Sequence, residues 1–343
     1  MKVGMLTGGG DCPGLNAVLR AAVRKAEVHY KDELVGFRDG WKGVVENLTT
    51  ELNVEVMRGT LPRGGTVLGS SRTNPYKLDG GVDKVKKTLA DQGIDALIAI
   101  GGEDTLGVAS KLHADGISVV GVPKTIDNDL SATELTFGFN TAVQVCVDAI
   151  DRLHTTAESH DRVIVVEVMG RHAGWIALES GLAGGAHAIL IPEQRPPVEA
   201  VCARIRGRRE RGRGYAIVVV SEGVELGDDG DEGTVDEFGH RQLAKAGVAE
   251  VLAERIAAET GAEARPVVLG HVQRGGTPIA FDRALATRYG MRAAELVAEG
   301  GFGRMAALRG DRVVDVALDE AVSELKTVPD RVWRRVEEVV SGP

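Results

Sequence analysis

Four carboxylates and a lysine stand in two loops of one stretch of this sequence, Asp95–Leu130, which reads DALIAIGGEDTLGVASKLHADGISVVGVPKTIDNDL. Asp95–Ile100 is a short apolar run of the kind that forms a strand buried on both faces of a parallel sheet. Gly101-Gly102-Glu103-Asp104-Thr105 interrupts it, and Leu106–Leu112 has the apolar spacing of a helix start. A second apolar run, Ile117–Val122, ends in Pro123-Lys124-Thr125-Ile126-Asp127-Asn128-Asp129. Two adjacent parallel strands would thus deliver Glu103, Asp104, Asp127, Asp129 and Lys124 to neighbouring loops. Ligands of open α/β sheets bind outside the carboxyl ends of the strands. Acids packed this closely repel one another and call for a cation or a proton. The chemistry expected is a magnesium–phosphate site with a catalytic base.

Other stretches carry compatible chemistry. Thr7-Gly8-Gly9-Gly10-Asp11-Cys12-Pro13-Gly14 follows a first strand and opens a helix. Such a turn lets backbone N–H groups approach a phosphate, though it also serves as a tight turn with no ligand. It is neither a Walker A loop nor a full dinucleotide fingerprint. Gly64–Arg72 (GGTVLGSSR) ends in an arginine that either meets a phosphoryl oxygen or lies on a surface turn. In the second half, Arg171, Glu222 and His271 each follow an apolar run, within EVMGRHAG, SEG and HVQRGG. Cations for a phosphate and polar groups for hydroxyls suit a sugar phosphate.

The elements that would position these residues alternate β and α. Strands are expected at Lys2–Leu6, Leu34–Phe37, Asp95–Ile100, Ile117–Val122, Val163–Val168, Ala188–Ile191, Tyr215–Val220 and Pro266–Leu269. Helices are expected at Leu15–His29, Phe139–Ala157, Val201–Arg211, Ala244–Glu259, Asp282–Glu299 and Asp330–Val340. The pattern implies an α/β fold of two domains, each a mostly parallel sheet covered by helices on both faces. A length of 343 residues fits two domains. A net charge of −9 argues against a nucleic-acid partner. Cys12, Cys146 and Cys202 lie far apart, make no metal spacing and fit a reducing compartment. Met1 leads directly into the first strand, leaving no room for a signal peptide, and no apolar run reaches membrane-span length. The expected setting is the cytoplasm. Arg204–Arg213 reads as a solvated helix end more than a polyanion patch, and Asp228–Glu237 as an exposed acidic loop.

TGGGDCPGLNAVLR, GGTVLGSSR, GGEDTL, PKTIDND, EVMGRHAGW and LGHVQRGG, in this order and spacing, resemble the phosphofructokinase family over nearly the whole chain. The resemblance implies a magnesium-dependent kinase of fructose 6-phosphate, with a donor and magnesium domain (1–138 with 273–325) and a sugar-phosphate domain (139–272 with 326–343). It assigns the donor phosphates to Gly9, Gly10, Gly102 and Thr105, and the transferring phosphoryl group to Arg72. Glu103 and Asp129 would serve magnesium. Thr125 and Asp127 would sit at the sugar C1 hydroxyl, with Asp127 the proton acceptor. Met169, Gly170 and Arg171 would line the sugar pocket, Arg171 also meeting transition-state charge. Glu222, His271 and Arg274 would hold the sugar phosphate. Arg162 and Arg265 match arginines that reach across from a neighbouring subunit, so a homo-oligomer, dimer or tetramer, with a shared site is implied.

Two positions depart from the ATP-using pattern. Asp104 replaces the glycine of GGDGS, and Lys124 replaces the glycine of PGTIDND. Glycine leaves room for a nucleotide's α-phosphate, whereas a carboxylate fills it and repels an anion. A lysine beside it favours a short, highly charged donor. The combination resembles the pyrophosphate-dependent branch, with transfer from ATP the alternative and Asp104 the deciding residue. Arg20 and Arg24 match the effector site of ATP-dependent relatives. Leu52–Val54 lacks the expected basic residue there and His154 replaces an arginine, which argues against allosteric control. A sugar-phosphate binder without catalysis would have no need of a base such as Asp127.

Overall fold

The computed structural model describes residues 1–194, 198–226 and 247–340. The acidic run Asp228–Glu237 and Ala244–Ala246 lie outside them. The chain opens with β1 (Lys2–Thr7), α1 (Leu15–Lys25), β2 (Glu33–Phe37), α2 (Trp41–Val45), β3 (Thr49–Glu51), α3 (Gly81–Gln92), β4 (Ala96–Gly101), α4 (Glu103–Ala114), β5 (Val119–Thr125) and β6 (Phe137–Gly138). α5 (Phe139–Ser159) leads to β7 (Val163–Val168), α6 (Trp175–Ala183), β8 (Ala188–Leu190), α7 (Val198–Glu210), β9 (Ala216–Ser221), α8 (Val248–Thr260) and β10 (Ala264–Val268). α9 (Ala280–Glu299), β11 (Arg304–Arg309), β12 (Arg312–Ala317), α10 (Leu318–Ala321) and α11 (Asp330–Val340) follow. These form two compact units, Met1–Thr141 with Arg274–Lys326 and Ala142–Gln273 with Thr327–Pro343.

In the first unit the strands run β12-β11-β5-β4-β1-β2-β3, with β6 against the end of β5. The centre is parallel; only β3 and β12, at the two edges, pair antiparallel. The strand order reverses between β1 and β4, the place where open sheets leave a crevice at the carboxyl ends. β4 is buried along its whole length, as its unbroken apolar run requires. One face is covered by a core of Leu6, Phe37, Trp41, Leu97, Leu106 and Met305. Burying each such side chain contributes about 1.5–3 kcal/mol. Elsewhere α1 and α9 approach so closely that a Cβ at Gly290 would lie 2.3 Å from the Val18 carbonyl oxygen.

The second unit is a parallel sheet ordered β10-β7-β9-β8, packed on Val198, Val201, Leu252 and Ile256 of α7 and α8. β7 and β9 are fully buried, while β10 is a half-exposed edge. Arg204 binds Glu337 and the His187 carbonyl, Arg206 the Glu259 carbonyl, and Arg208 the Tyr215 carbonyl, while Arg209, Arg211 and Arg213 are exposed, as a solvated helix end requires.

Several boundaries differ from the sequence expectation. α4 starts at Glu103 rather than Leu106, because polar residues in a first turn carry no apolar periodicity. β5 continues past Val122 through Pro123, Lys124 and Thr125, since the lysine side chain points inward and β6 pairs with Lys124 and Thr125. α1 stops at Lys25 and the chain passes into a π-helical turn, Ala26–Tyr30. α8 starts at Val248 among the described residues, and β10 starts at Ala264. The β11–β12 hairpin and α3 had not been foreseen.

His187, beside β8, titrates in a usable range. Its Nδ1 accepts the Ile217 N–H at 2.9 Å, and its ring packs edge-on against Tyr215 with centroids 5.6 Å apart. Burial, then the Arg208 charge, lowers its pKa from 6.5 to about 4. The folded-state value is depressed, so this contribution to stability is complete above pH 6.5 and is lost as the pH falls toward 4. His187→Gln should flatten the fall in melting temperature across that window by a few degrees. Equal falls in both proteins would clear His187 of the effect.

Candidate active site

The glycine turn after β1 is pinned on two sides. Gly8 N–H donates to the Ile100 carbonyl at 2.9 Å, and Gly9 N–H to the Ser71 carbonyl at 3.0 Å. Glycine is needed here for space: a Cβ on Gly8 would lie 2.5 Å from Thr105 Oγ1, and one on Gly101 2.2 Å from Thr105 Cβ. Thr105 is thereby tucked, buried, beneath the turn. Asn16 fixes the 64–72 loop, donating to the Arg63 and Gly64 carbonyls at 3.0 and 3.2 Å and accepting the Val67 N–H at 2.8 Å. Arg72, at the end of that loop, is exposed.

Glu103 and Asp104 form the exposed first turn of α4, where the helix N-terminus favours negative charge. From the neighbouring strand, Lys124 turns inward and is 3% exposed. Its Nζ donates to the Gly10 carbonyl, which joins the end of β5 to the glycine turn. Burial lowers its pKa, joined by the Arg274 charge and opposed by those of Asp127 and Asp11. Arg274 approaches the same turn: a Cβ on Gly10 would lie 2.6 Å from its Nη1, which donates to the Asp11 carbonyl at 3.3 Å.

Beyond Lys124, Thr125 Oγ1 accepts the Asp127 N–H at 3.1 Å and lies 3.4 Å from Asp127 Oδ2. The other oxygen, Asp127 Oδ1, is buried and has no hydrogen-bond donor. Burial, then the Asp127 charge, then that of Glu103, pushes the Asp129 carboxyl well above the ordinary range, while Lys326 pulls it down. A buried, donorless carboxylate oxygen beside a carboxylate that resists ionisation favours a positive charge nearby. Among the described residues no group of three His, Cys, Asp or Glu could hold a metal ion by itself. Glu103 and Asp129 fit magnesium nonetheless, since that ion takes one or two carboxylates and completes its shell with phosphate oxygens and water.

In the second unit Met169, Gly170 and Arg171 follow β7, Glu222 follows β9 and His271 follows β10, so three adjacent parallel strands end together. Glu222 N–H donates to the Val168 carbonyl at 2.9 Å, and Ser221 Oγ to the Gly170 carbonyl at 2.5 Å. Gln273 is fully buried; its Oε1 accepts the Met169 N–H at 3.1 Å and the Cys146 thiol at 3.2 Å. Arg162 and Arg265 lie at the opposite ends of β7 and β10, held beside each other by Glu263 at 2.9 and 2.6 Å.

Residues 2–297 match the family described as Phosphofructokinase. The chain belongs to the phosphofructokinase family. It is 60% identical over 342 residues to pyrophosphate–fructose 6-phosphate 1-phosphotransferase of Amycolatopsis mediterranei, covering 98% of this chain and 99% of that one. It is 52% identical over 340 residues to ATP-dependent 6-phosphofructokinase 3 of Streptomyces coelicolor, covering 98% and 99%. The solved phosphofructokinase of Pichia pastoris in the T-state matches with a TM-score of 0.82 and 30% identity over 99% of this chain, which spans 36% of that longer one.

In this phosphofructokinase the first unit brings together Gly9, Gly10, Gly102, Glu103, Asp104, Thr105, Lys124, Thr125, Asp127, Asp129 and Arg274, with Arg72 on the adjoining loop. The second holds Met169, Gly170, Arg171, Glu222 and His271 at one end of its sheet and Arg162 and Arg265 at the other. Sequence reasoning passed over Asn16, Gln273 and Lys326. Gln273 stands inside the quoted HVQRGG, but its burial is a tertiary fact. Gly170 has φ 129°, and a Cβ there would lie 2.6 Å from the Ala173 carbonyl oxygen and 2.7 Å from Ser221 Oγ. Gly170→Ala should cost about 1–3 kcal/mol of stability, read as a lower denaturation midpoint. An unchanged midpoint would show that the turn relaxes freely.

Proposed function

We propose that this chain transfers a phosphoryl group from pyrophosphate to the C1 hydroxyl of fructose 6-phosphate, reversibly, giving fructose 1,6-bisphosphate and phosphate. The residue that decides this reading is Asp104, in the exposed first turn of α4, supported by Lys124, a buried cation whose Nζ lies on the carbonyl of the glycine turn. A fixed positive charge there favours a compact donor and its leaving phosphate. Asp104, in the first turn of α4, occupies the place where a nucleotide's α-phosphate would need a small neutral residue. The relatives at 60% identity carry the pyrophosphate name, and those at 52% the ATP name.

The first unit takes the donor and magnesium, and the second takes the sugar phosphate. Asp127 accepts the C1 hydroxyl proton as the oxygen attacks phosphorus and the bridging P–O bond breaks. Thr125 orients that carboxylate through its hydrogen bonds. Lys124 and Arg72 meet the charge on the departing and transferring groups, and Arg171 meets transition-state charge from the sugar side. Magnesium, held by Glu103 and Asp129, would neutralise phosphate charge when bound. Met169 and Gly170 shape the sugar pocket, and Glu222, His271 and Arg274 hold the sugar phosphate. Three buried free cysteines fit reaction in the reducing cytoplasm.

Arg162 and Arg265 support a homo-oligomer. β7 is six residues long, so Arg162 stands roughly 20 Å along the sheet from Met169. Neither arginine can join its own subunit's strand-end cluster, but each can complete that of another copy.

Turnover with each donor, at fixed fructose 6-phosphate and magnesium, tests the donor. Wild type should use pyrophosphate and ignore ATP. Asp104→Gly should lose pyrophosphate activity and admit ATP weakly, and Lys124→Gly should lose pyrophosphate activity and gain little. Because Asp104 and Lys124 act on the same donor, the double variant should be non-additive. A wild type that prefers ATP would transfer the donor assignment to ATP.

Shared sites predict complementation. Asp127→Ser should lower turnover by roughly two to four orders of magnitude while keeping sugar binding. Mixing it with an inactive Arg162→Ala protein should restore part of the activity. Confirmed subunit exchange without rescue would show that the sites are not shared.

A further inference from the structure

We propose that Lys326 is a positioning residue for the proton-acceptor loop, holding Asp127–Asp129 in register through hydrogen bonds that saturate its ammonium group. This rests on the reading of Asp127 as the proton acceptor. Lys326 Nζ donates to Asn128 Oδ1 at 2.9 Å, to the Thr133 carbonyl at 3.0 Å and to the Glu134 carbonyl at 2.8 Å. An ammonium has three protons, and three acceptors surround it. Its backbone N–H donates to the Asp129 carbonyl at 2.8 Å. One residue, 198 positions away in sequence, thus grips the loop by side chain and main chain together.

The loop needs such a grip. Asn128 has φ 52°, a left-handed conformation that asparagine tolerates better than most residues. Its Oδ1 also accepts the Thr136 N–H at 3.1 Å, so the amide ties Lys326 to the returning chain. On the other side, Thr136 Oγ1 donates to the Thr125 carbonyl at 2.7 Å. Lys326, Asn128, Thr136 and Thr125 therefore form a closed set of hydrogen bonds around Asp127, whose own Oδ1 has no donor. Its direction follows from the backbone that Lys326 and Asn128 fix. Neither arginine nor a shorter amine matches this set. Arginine presents a planar fork rather than three tetrahedral donors, and a shorter side chain falls short of the carbonyls.

The same cation lies near Asp129, where its charge opposes the repulsion from Asp127 and Glu103. Lys326 is also the last residue of the first unit, and the chain continues into the second at Thr327. The restraint on the acceptor loop is thus applied at a connection between the two units.

The test is Lys326→Met, which keeps the length and removes the donors, measured in wild-type and Asp127→Ser backgrounds. In the wild-type background kcat should fall on the order of tenfold to a hundredfold, the effect of a small misplacement of a reacting group. KM for the sugar and the donor should move by less than about threefold, since the Nζ donors are directed at the loop. In the Asp127→Ser background the same change should cost less than about threefold, because the group being positioned is gone. Equal losses in both backgrounds, or a folded Lys326→Met protein with wild-type kcat, would overturn the proposal. Asn128→Gly accepts the left-handed backbone and removes the Oδ1 link. It should show the same kcat-specific loss, and it decides the matter if Lys326→Met does not fold. A wild type active only with ATP would leave this test unchanged with ATP as donor. A wild type inactive with both donors would remove the reading beneath it.

Discussion

Glu103, Asp127 and Asp129 stand at the ends of two adjacent strands, close enough that the first two oppose ionisation of the third. Charges of one sign crowded together are tolerated only where cations and donors are fixed around them. The first unit supplies two lysines for this purpose, Lys124 buried and Lys326 partly buried, from different directions. Lys124 arrives on β5 itself and rests on the glycine turn. Lys326 arrives from the far end of the unit and rests on the loop beyond Asp127. Between them they set positive charge and donors around the acids from two sides.

Close backbone approach makes that arrangement possible. β1 and β4 are neighbours at the point where strand order reverses, so the turns that follow them meet. Gly8 and Gly101 have no side chains, and Thr105 fills the space they leave. The first turn of α4 is thereby drawn against the turn after β1, carrying Glu103 and Asp104 with it. Packing, in this sense, sets the electrostatics: a side chain at either glycine would push Thr105, and the helix turn that carries the acids, away from the glycine turn.

The second unit solves a different problem with the same architecture. Three parallel strands end together, so Met169, Glu222 and His271 converge without any sequence proximity. Ser221 and Gln273 satisfy the polar backbone at that end, as burial requires. At the other end Glu263 binds both Arg162 and Arg265, keeping two arginines side by side that would otherwise repel.

The order of strands and helices was legible because buried parallel strands carry unbroken apolar runs, as Ala96–Gly101 and Val163–Val168 do. The residues with chemistry were legible because glycines, acids and arginines follow those runs at strand ends. Local sequence missed what lacks an apolar signature: the first turn of α4 and the inward Lys124 at the end of β5. Only the tertiary structure decided which residues touch. Lys326 has no motif and lies 198 residues from Asn128, so its partner is set by how the chain returns to the first sheet. Likewise, Arg162 and Met169 are seven positions apart and look like neighbours, yet an extended strand carries them to opposite ends of one sheet.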